Sequence, residues 1–314
     1  MRSKAFFMNG GYGRVLCSIP ALTLYAEENP DDDFIIVCEG GTDAYKGHPI
    51  LDGRSYDVWH KNLFEEKLKD REIVSTEPYR IWEYYNQQCS LSQAFDIQIN
   101  NKGVRNLPKP AVYLSKEELV TGRQLIAEVK EKLHKQKTIV IQPFGRGMQY
   151  IDKTFVDSSG RSIEYKDFKD LIRMLQENDF AVIIMSEFKF DFSNDNFVND
   201  VAMPEGVSLR QWLAIIKYAD HFLGCDSVGQ HFSYAQETES TIVVGSTYPV
   251  NISYPDCDYF EIVDLGMHDR VYDPIRITVD ETTSRQNEKI MTMTPEIKQY
   301  IVDRILRKPL KETK

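Results

Sequence analysis

Residues 5–38 alternate a short apolar run, a glycine turn, a longer apolar stretch and a second apolar run, an order that few folds accommodate. Ala5 to Met8 reads as a strand, Asn9-Gly10-Gly11-Tyr12-Gly13 as a turn, Val15 to Glu27 as a helix and Phe34 to Cys38 as a second strand. This is a βαβ unit, and its two strands must run parallel. Pro20 falls within the expected helix and predicts that it begins later or kinks there. A second glycine turn, Glu39-Gly40-Gly41-Thr42-Asp43, follows the second strand. Both turns therefore lie at carboxyl ends of strands, where open α/β sheets bind their ligands.

The alternation resumes after a proline-rich break. Asn106-Leu107-Pro108-Lys109-Pro110 cannot continue a helix or a sheet and marks a domain boundary. Beyond it come helix 116–136, strand 138–142, helix 165–178, strand 180–185, helix 208–219, strand 221–224, helix 230–237 and strand 240–244. Strands separated by helices imply a second parallel sheet. Thr294 as N-cap and Pro295 at the first helical position start a last helix, 295–307. With 314 residues the chain is long enough for two domains: 1–110, 111–292, and a terminal segment 293–314. Residues 50–100 show no sustained period; Trp59, Phe64, Trp82, Tyr84, Tyr85 and Phe95 are expected to fill core between helices, with an acceptor-binding surface as the alternative.

Several function classes are excluded by what is missing or diluted. No apolar run approaches the length of a membrane-spanning helix, and Met1-Arg2-Ser3-Lys4 leads directly into a strand, so neither signal peptide nor anchor is expected. Five scattered cysteines without paired spacing fit a reducing, cytoplasmic location. The net charge of −10 disfavours a generalised grip on nucleic acid. Asp31-Asp32-Asp33 precedes a strand and is expected to be solvated; the histidines show no metal spacing, so no metal is expected. Neither a phosphate-binding Gly-x-x-x-x-Gly-Lys loop nor a Gly-x-Ser-x-Gly elbow occurs.

What remains is a set of strand-terminal loops. Gly224-Cys225-Asp226-Ser227-Val228-Gly229-Gln230-His231 joins a buried strand to a helix, whose free N–H groups and dipole favour an anion, most simply a phosphate. Asp226 suits either an N-cap or a sugar or ribose contact; His231 either donates to phosphate or is a structural histidine. Gln142-Pro143-Phe144-Gly145-Arg146-Gly147 offers backbone donors and a guanidinium for bidentate phosphate contact. Arg161 is within sequence reach of the same phosphates. Glu187, at the end of a strand, either holds a ribose diol or is a solvated loop carboxylate.

Ser208-Leu209-Arg210-Gln211-Trp212, Ala219-Asp220, Gly224-Cys225-Asp226-Ser227, Gly229, His231, Ala235 and Val244-Gly245-Ser246-Thr247-Tyr248-Pro249 together resemble the C-terminal signature of family 9, heptosyltransferase-like glycosyltransferases. Gly13-Arg14-Val15-Leu16-Cys17-Ser18-Ile19-Pro20-Ala21-Leu22 resembles that family's first loop and helix, and Lys109-Pro110-Ala111-Val112-Tyr113-Leu114-Ser115 its interdomain segment. The resemblance is weakest between residues 45 and 105. It implies an α/β protein of GT-B fold, with two facing Rossmann-like domains of parallel sheet and a C-terminal helix crossing back to the first domain. It also implies a nucleotide-diphosphate sugar as donor substrate, no prosthetic group, and an inverting, metal-independent displacement in which donors stabilise the leaving diphosphate.

Carried over residue by residue, Asp226, Ser227, Val228, Gly229 and His231 would bind donor phosphate and sugar, Glu187 the ribose, and Gly145 and Arg146 would form the glycine loop. Arg161 stands where the family has a phosphate-binding lysine. Gly10, Gly11, Tyr12 and Gly13 form the acceptor-side loop. Where the family has Gly-Asp, the aspartate serving as general base, this chain has Gly13-Arg14, and arginine cannot act as that base at neutral pH. Glu39 and Asp43 are the expected replacements, with Arg14 binding the donor diphosphate or orienting an anionic acceptor. The variant loop Met8 to Arg14 with Phe34 to Gly41 resembles versions carried by tailed phages, whose enzymes glycosylate hydroxymethylated cytosine in DNA. That acceptor is the first expectation, and a lipopolysaccharide or other saccharide the second. A binding protein that lost its base and a sugar epimerase of the same fold are the rival readings.

Overall fold

The computed structural model describes residues 3–193, 200–270 and 289–307, which divide into two compact units. The first contains residues 3–115 and 250–252, and the second the remainder. The boundary falls at Ser115/Lys116 rather than at 110/111, because the backbone after Pro110 stays irregular until a helix starts at Lys116.

The first unit runs β1 (Lys4–Met8), α1 (Tyr12–Glu28), β2 (Ile35–Cys38), β3 (Ser55–Asp57), β4 (Glu72–Ser75), α2 (Trp82–Tyr85) and α3 (Leu91–Asn100). Its strands lie in the order β3-β2-β1-β4, all parallel. Alternate side chains of β1 serve opposite faces. Phe6 meets Tyr25 of α1 edge to face at 4.8 Å and Phe34 at 5.8 Å, while Ala5 packs with Ile35, Val37 and Leu68 on the other face.

Helix α1 starts at Tyr12, before the expected Val15, and runs through Pro20. Proline removes one helical hydrogen bond there, but the neighbouring hydroxyls bond back to the helix: Ser18 Oγ donates to Val15 O and Thr23 Oγ1 to Ile19 O, both at 2.8 Å. A reciprocal capping box opens α3, with Gln93 N donating to Ser90 Oγ and Ser90 N to Gln93 Oε1.

One expectation for this unit is corrected. Tyr84 and Phe95 are fully buried, but Trp59 is 88 % exposed, and Phe64, Trp82 and Tyr85 also face outward, so only part of the 50–100 aromatic set fills core. In the acidic run Asp31 and Asp33 are exposed, as expected, and the run is also tied to its neighbours. Asp32 accepts from Tyr25 Oη at 2.5 Å, and Asp33 pairs with Arg71 at 3.0 Å and Arg54 at 3.7 Å.

The second unit runs α4 (Lys116–Leu133), β5 (Lys137–Gln142), β6 (Met148–Ile151), β7 (Thr154–Asp157), α5 (Tyr165–Glu177), β8 (Phe180–Ile184), α6 (Leu209–Tyr218), β9 (His221–Cys225), α7 (Val228–Gln236), β10 (Ser240–Val244), α8 (Pro249–Ile252), β11 (Phe260–Asp264) and α9 (Pro295–Ile305). Residues 250–252 of α8 go with the first unit, where Asn251 Nδ2 donates to Tyr84 O and Cys89 O at 3.0 and 2.8 Å. The main sheet is parallel, in the order β11-β10-β9-β5-β8. Every residue of β8, β9 and β10 is buried, which is why these strands read as continuous runs rather than alternating ones.

The last helix, expected to cross back to the first domain, is held in its described turns by the second unit. Lys298 Nζ bridges Asp167 at 2.9 Å and Asp170 at 2.6 Å on α5, and Ile301, Val302 and Ile305 enter the core with Leu171, Leu175 and Val243. Residues 308–314 of that segment lie outside the described residues. Among the described residues no helix is long and apolar enough to cross a membrane.

Candidate functional site

Each main sheet reverses its direction of growth once, and the crevice at the carboxyl ends of the strands beside that reversal is where open α/β sheets take ligands. In the second unit the chain steps from β5 to β8 on one side, then returns to lay β9 on the other side of β5. The reversal therefore lies between β5 and β9, whose following loops are 143–147 and 226–227. These loops are close neighbours, since a Cβ added at Gly145 would stand 3.5 Å from Asp226 O.

Phe144 anchors the first loop by packing among Phe155, Phe168, Phe188 and Phe190 at ring separations of 5.1 to 6.1 Å. Pro143 O accepts from Ile163 N at 2.8 Å, and Gly145 N donates to Ser162 Oγ at 2.9 Å. Ser162 and Ser159 in turn bind Asp157 through their hydroxyl and backbone N–H groups, which hold its carboxyl below the usual carboxylate range against the opposing effect of burial. The Gly145 N–H, expected from the sequence to face a ligand, is thus already engaged by the protein.

The start of α7 is held from β5. Gln142 Oε1 accepts from Gly229 N at 2.7 Å, and Gln142 Nε2 donates to Ser227 Oγ at 3.0 Å. The N-cap position is Ser227, not Asp226. One of the helix's unpaired first-turn donors is consequently supplied by a side chain distant in sequence. Gly229 has no room for a side chain: an added Cβ would lie 2.4 Å from Phe222 Cζ and 2.5 Å from Gln142 Oε1. Val228, at the first helical position, is half-buried.

Asp226, freed from capping, is buried and faces two partners. Gln230 Nε2 donates to its Oδ1 at 3.1 Å, and Arg161 Nη1 stands 3.9 Å from its Oδ2. Arg161 Nε also donates to Ser159 Oγ at 3.2 Å. Because a carboxylate only accepts, the Gln230 amide is oriented with Oε1 away from it, and this buried oxygen has no hydrogen-bond partner. The loop after β10 closes against the same group, with Ser246 N donating to Gly160 O at 3.1 Å and Ser246 Oγ to Ser159 O at 2.5 Å.

His231 lies one turn into α7 and is buried, with Nδ1 2.7 Å from Tyr254 Oη. Burial pushes its pKa down to about 4 despite the nearby Asp226, so at neutral pH it is an uncharged imidazole. Arg146 is exposed beside Gly145, and Glu187 is exposed after β8, on the side of β5 away from the reversal. The structure thus brings together Gly145, Arg161, Asp226, Ser227, Val228 and Gly229, and leaves Glu187 one strand away, about 5 Å in strand spacing. Gln142, Ser162 and Gln230 were not singled out from the sequence. Gln142 carries a signal there, a lone amide ending an apolar strand before proline.

In the first unit the reversal lies between β1 and β4. Tyr12, Gly13 and Arg14 belong to the first turn of α1 rather than to a loop, with Gly11 as N-cap. Gly10 takes a left-handed φ of +107°, and a Cβ there would stand 2.8 Å from Arg14 Cδ. Arg14 Nη2 donates to Thr76 O at 3.3 Å and lies 4.0 Å from Glu77 Oε2, while its guanidinium covers the rings of Tyr79 and Phe95 at 5.0 and 5.8 Å. Glu39 and Asp43 follow β2 and are exposed.

No family model and no curated protein matches this chain. Solved structures do. A family 9 glycosyl transferase from Veillonella parvula aligns with a TM-score of 0.68 at 9% identity, over 98% of this chain and 97% of that one. ADP-heptose lps heptosyltransferase II of E. coli aligns at 0.62 and 9%, over 97% and 99%. TibC, an iron-containing dodecameric glycosyltransferase of enterotoxigenic E. coli, aligns at 0.60 and 10%, over 98% and 78%. The chain therefore has the mixed α/β, parallel-sheet fold of GT-B glycosyltransferases resembling family 9.

Proposed function

We propose that the protein transfers a sugar from a nucleotide-diphosphate donor to a hydroxyl acceptor, with the donor diphosphate bound at the crevice between β5 and β9. The observation that carries this reading is the convergence at that point of the α7 N-terminus, the Arg161 guanidinium and the Asp226 carboxylate. A helix N-terminus and a guanidinium together favour a diphosphate and the charge it gains on leaving. Asp226 and Gln230 present oxygens that accept from sugar or ribose hydroxyls. Ser227 and Val228 line the approach to the helix start, Arg146 reaches the phosphates from Gly145, and Glu187 contacts the ribose at the edge. Neutral His231 holds Tyr254 instead of pairing with phosphate as a cation. The displacement inverts the anomeric centre without a metal.

Of the two acceptor classes, a saccharide suits the first unit better than DNA. Glu39 and Asp43 are exposed at the carboxyl edge of its sheet, where they repel a polyanion, and Arg14 is engaged by Thr76, Glu77 and two rings. The test is a panel of ADP-, UDP- and GDP-sugars offered with lipopolysaccharide oligosaccharides and with hydroxymethylcytosine DNA. Release of nucleoside diphosphate dependent on a saccharide is expected, with inverted product. Transfer to DNA alone would overturn the acceptor, retention the mechanism, and donor-dependent thermal stabilisation without any release would leave a binding protein.

Site variants give a second check. Asp226→Ala is expected to weaken donor binding by about tenfold to a hundredfold, the worth of a charged hydrogen bond, without unfolding the protein; unchanged affinity by calorimetry removes it from the site. The two glycines should part company. Gly145→Ala meets only ordinary contacts within the protein, so Tm should hold while the added methyl, beside Asp226 O, narrows the crevice and lowers donor affinity. Gly229→Ala collides with Phe222 and Gln142, so Tm and donor affinity should fall together, by about 1–3 kcal/mol in stability. Equal Tm values for the two variants would show that the crowding at Gly229 is relieved.

A further inference from the structure

We propose that Glu77 is the general base that activates the acceptor hydroxyl, an assignment that rests on the glycosyltransferase reading above. The family-like position next to Gly13 holds arginine, and neither Glu39 nor Asp43, the replacements suggested by the sequence, stands at the reversal of the first sheet. Both follow β2, which lies on the far side of β1 from β4. The two loops that flank the reversal are the one after β1, with Gly10, Gly11 and the start of α1, and the one after β4, with Thr76 and Glu77. Ligand crevices in open α/β sheets form between such loops, and Glu77 is the carboxylate that follows β4 there.

Its surroundings fit a group held in place yet reachable. Thr76 is tied to β1, its N–H and Oγ1 both donating to Phe7 O, at 3.3 and 2.7 Å. Arg14 binds Thr76 O and stands 4.0 Å from the Glu77 carboxylate, itself fixed by Tyr79 and Phe95. The side chain of Arg14 is 11 % exposed and that of Glu77 35 %. The arginine is thus a largely covered brace and the carboxylate the more accessible member of the pair. Gly10 completes the arrangement, since any side chain there would strike the Arg14 stem.

In the step assigned to it, the Glu77 carboxylate takes the proton of the acceptor hydroxyl. The freed oxygen pair forms the new bond to the anomeric carbon as the bond from that carbon to the diphosphate oxygen breaks. The bonding electrons leave with the nucleoside diphosphate, and Glu77 then returns its proton to water. Arg14 acts as a positioning residue, replacing in orientation what the chain lacks in a first-loop aspartate.

The experiment measures nucleoside-diphosphate release from ADP-heptose and UDP-glucose, with lipopolysaccharide oligosaccharide and hydroxymethylcytosine DNA as acceptors, for wild type, Glu77→Gln, Glu77→Asp and Arg14→Lys. Glu77→Gln is expected to lower kcat by about 10²- to 10⁴-fold, the usual worth of a general base, and to abolish the acidic limb of the kcat profile. Its donor Kd and Tm should match wild type. Glu77→Asp should restore part of kcat together with the limb, and Arg14→Lys should keep the limb while lowering kcat. An active wild type whose Glu77→Gln variant keeps kcat within tenfold, keeps the acidic limb or loses donor binding overturns the assignment alone. So does a comparable kcat loss found in Glu39→Gln or Asp43→Asn and not in Glu77→Gln. A wild type that releases no diphosphate with any acceptor overturns the transferase reading and this assignment with it.

Discussion

Glu118→Ala is expected to lower the stability of the second unit by about 3–5 kcal/mol, the cost of breaking a buried ion pair from one side. Glu118 on α4 takes Arg210 on α6 in a bidentate pair, Nε to Oε1 at 2.6 Å and Nη2 to Oε2 at 2.9 Å. The Arg210 side chain is 5 % exposed. Removing the carboxylate leaves a guanidinium, which cannot shed its charge, inside a tight helix crossing. The crossing cannot open easily to admit water, because Gly122 lies so close to α6 that an added Cβ would come within 2.6 Å of Ala214 C. Chemical denaturation should show the midpoint falling sharply, and Glu118→Ala combined with Arg210→Met should recover much of the loss. A single-variant loss below about 1 kcal/mol would mean that the guanidinium stays satisfied without the Glu118 carboxylate.

Acid should destabilise the same unit well above the pH at which carboxylates titrate. Burial pushes His231 down to about 4 and His221 down to about 3, the latter with Arg307 adding to the effect. In the unfolded chain both take up a proton near 6.5. The unfolded state therefore binds more protons below that pH, so the stability contributed by keeping them neutral is complete above pH 6.5. It is lost as pH falls, by about 1.4 kcal/mol per pH unit for each histidine, until about 4 for His231 and about 3 for His221. At pH 4.5 the two together cost about 5 kcal/mol. Urea midpoints between pH 7.5 and 4.5 measure the slope, and His231→Asn should reduce it by about half. A flat profile over this window, or an unchanged slope in the variant, would mean that the imidazoles accept protons in the folded state.

The parts of the fold that could be read from residues were those written in local periodicity. Ala5 to Met8, Phe34 to Cys38 and the apolar runs after residue 138 declare buried strands, and Thr294-Pro295 declares a helix start. The β6–β7 hairpin carries no such signal, because its turn, Asp152-Lys153 at φ of 48° and 64°, has lysine where the Asn-Gly or Asp-Gly that marks such a turn has glycine. Strands β3 and β4 are short, and their residues are at most partly buried, so no alternation stands out among the charges of residues 50–80. The exposed Trp59 and Trp82 could not be told from core by residue type alone.

The strand-terminal loops were equally legible, since a glycine after an apolar run marks a place where the backbone turns or is approached closely. Gly229, Asp226 and Arg14 were visible on those grounds. Their partners were not. Gln142 reaches Gly229 across 87 positions and Arg14 reaches Thr76 across 62, and no local period records such a pairing. The amino-acid order alone marks the strongly apolar strands and the helices between them, and which of those strand ends carry glycine, but not the short, half-exposed strands β3, β4, β6 and β7. Only the tertiary structure decided the order of strands in each sheet, hence which two loops meet where the order reverses. That order follows from which buried faces pack together, a property of the whole core, and it is what sets Glu77 beside Arg14 and leaves Glu39 and Asp43 a strand away.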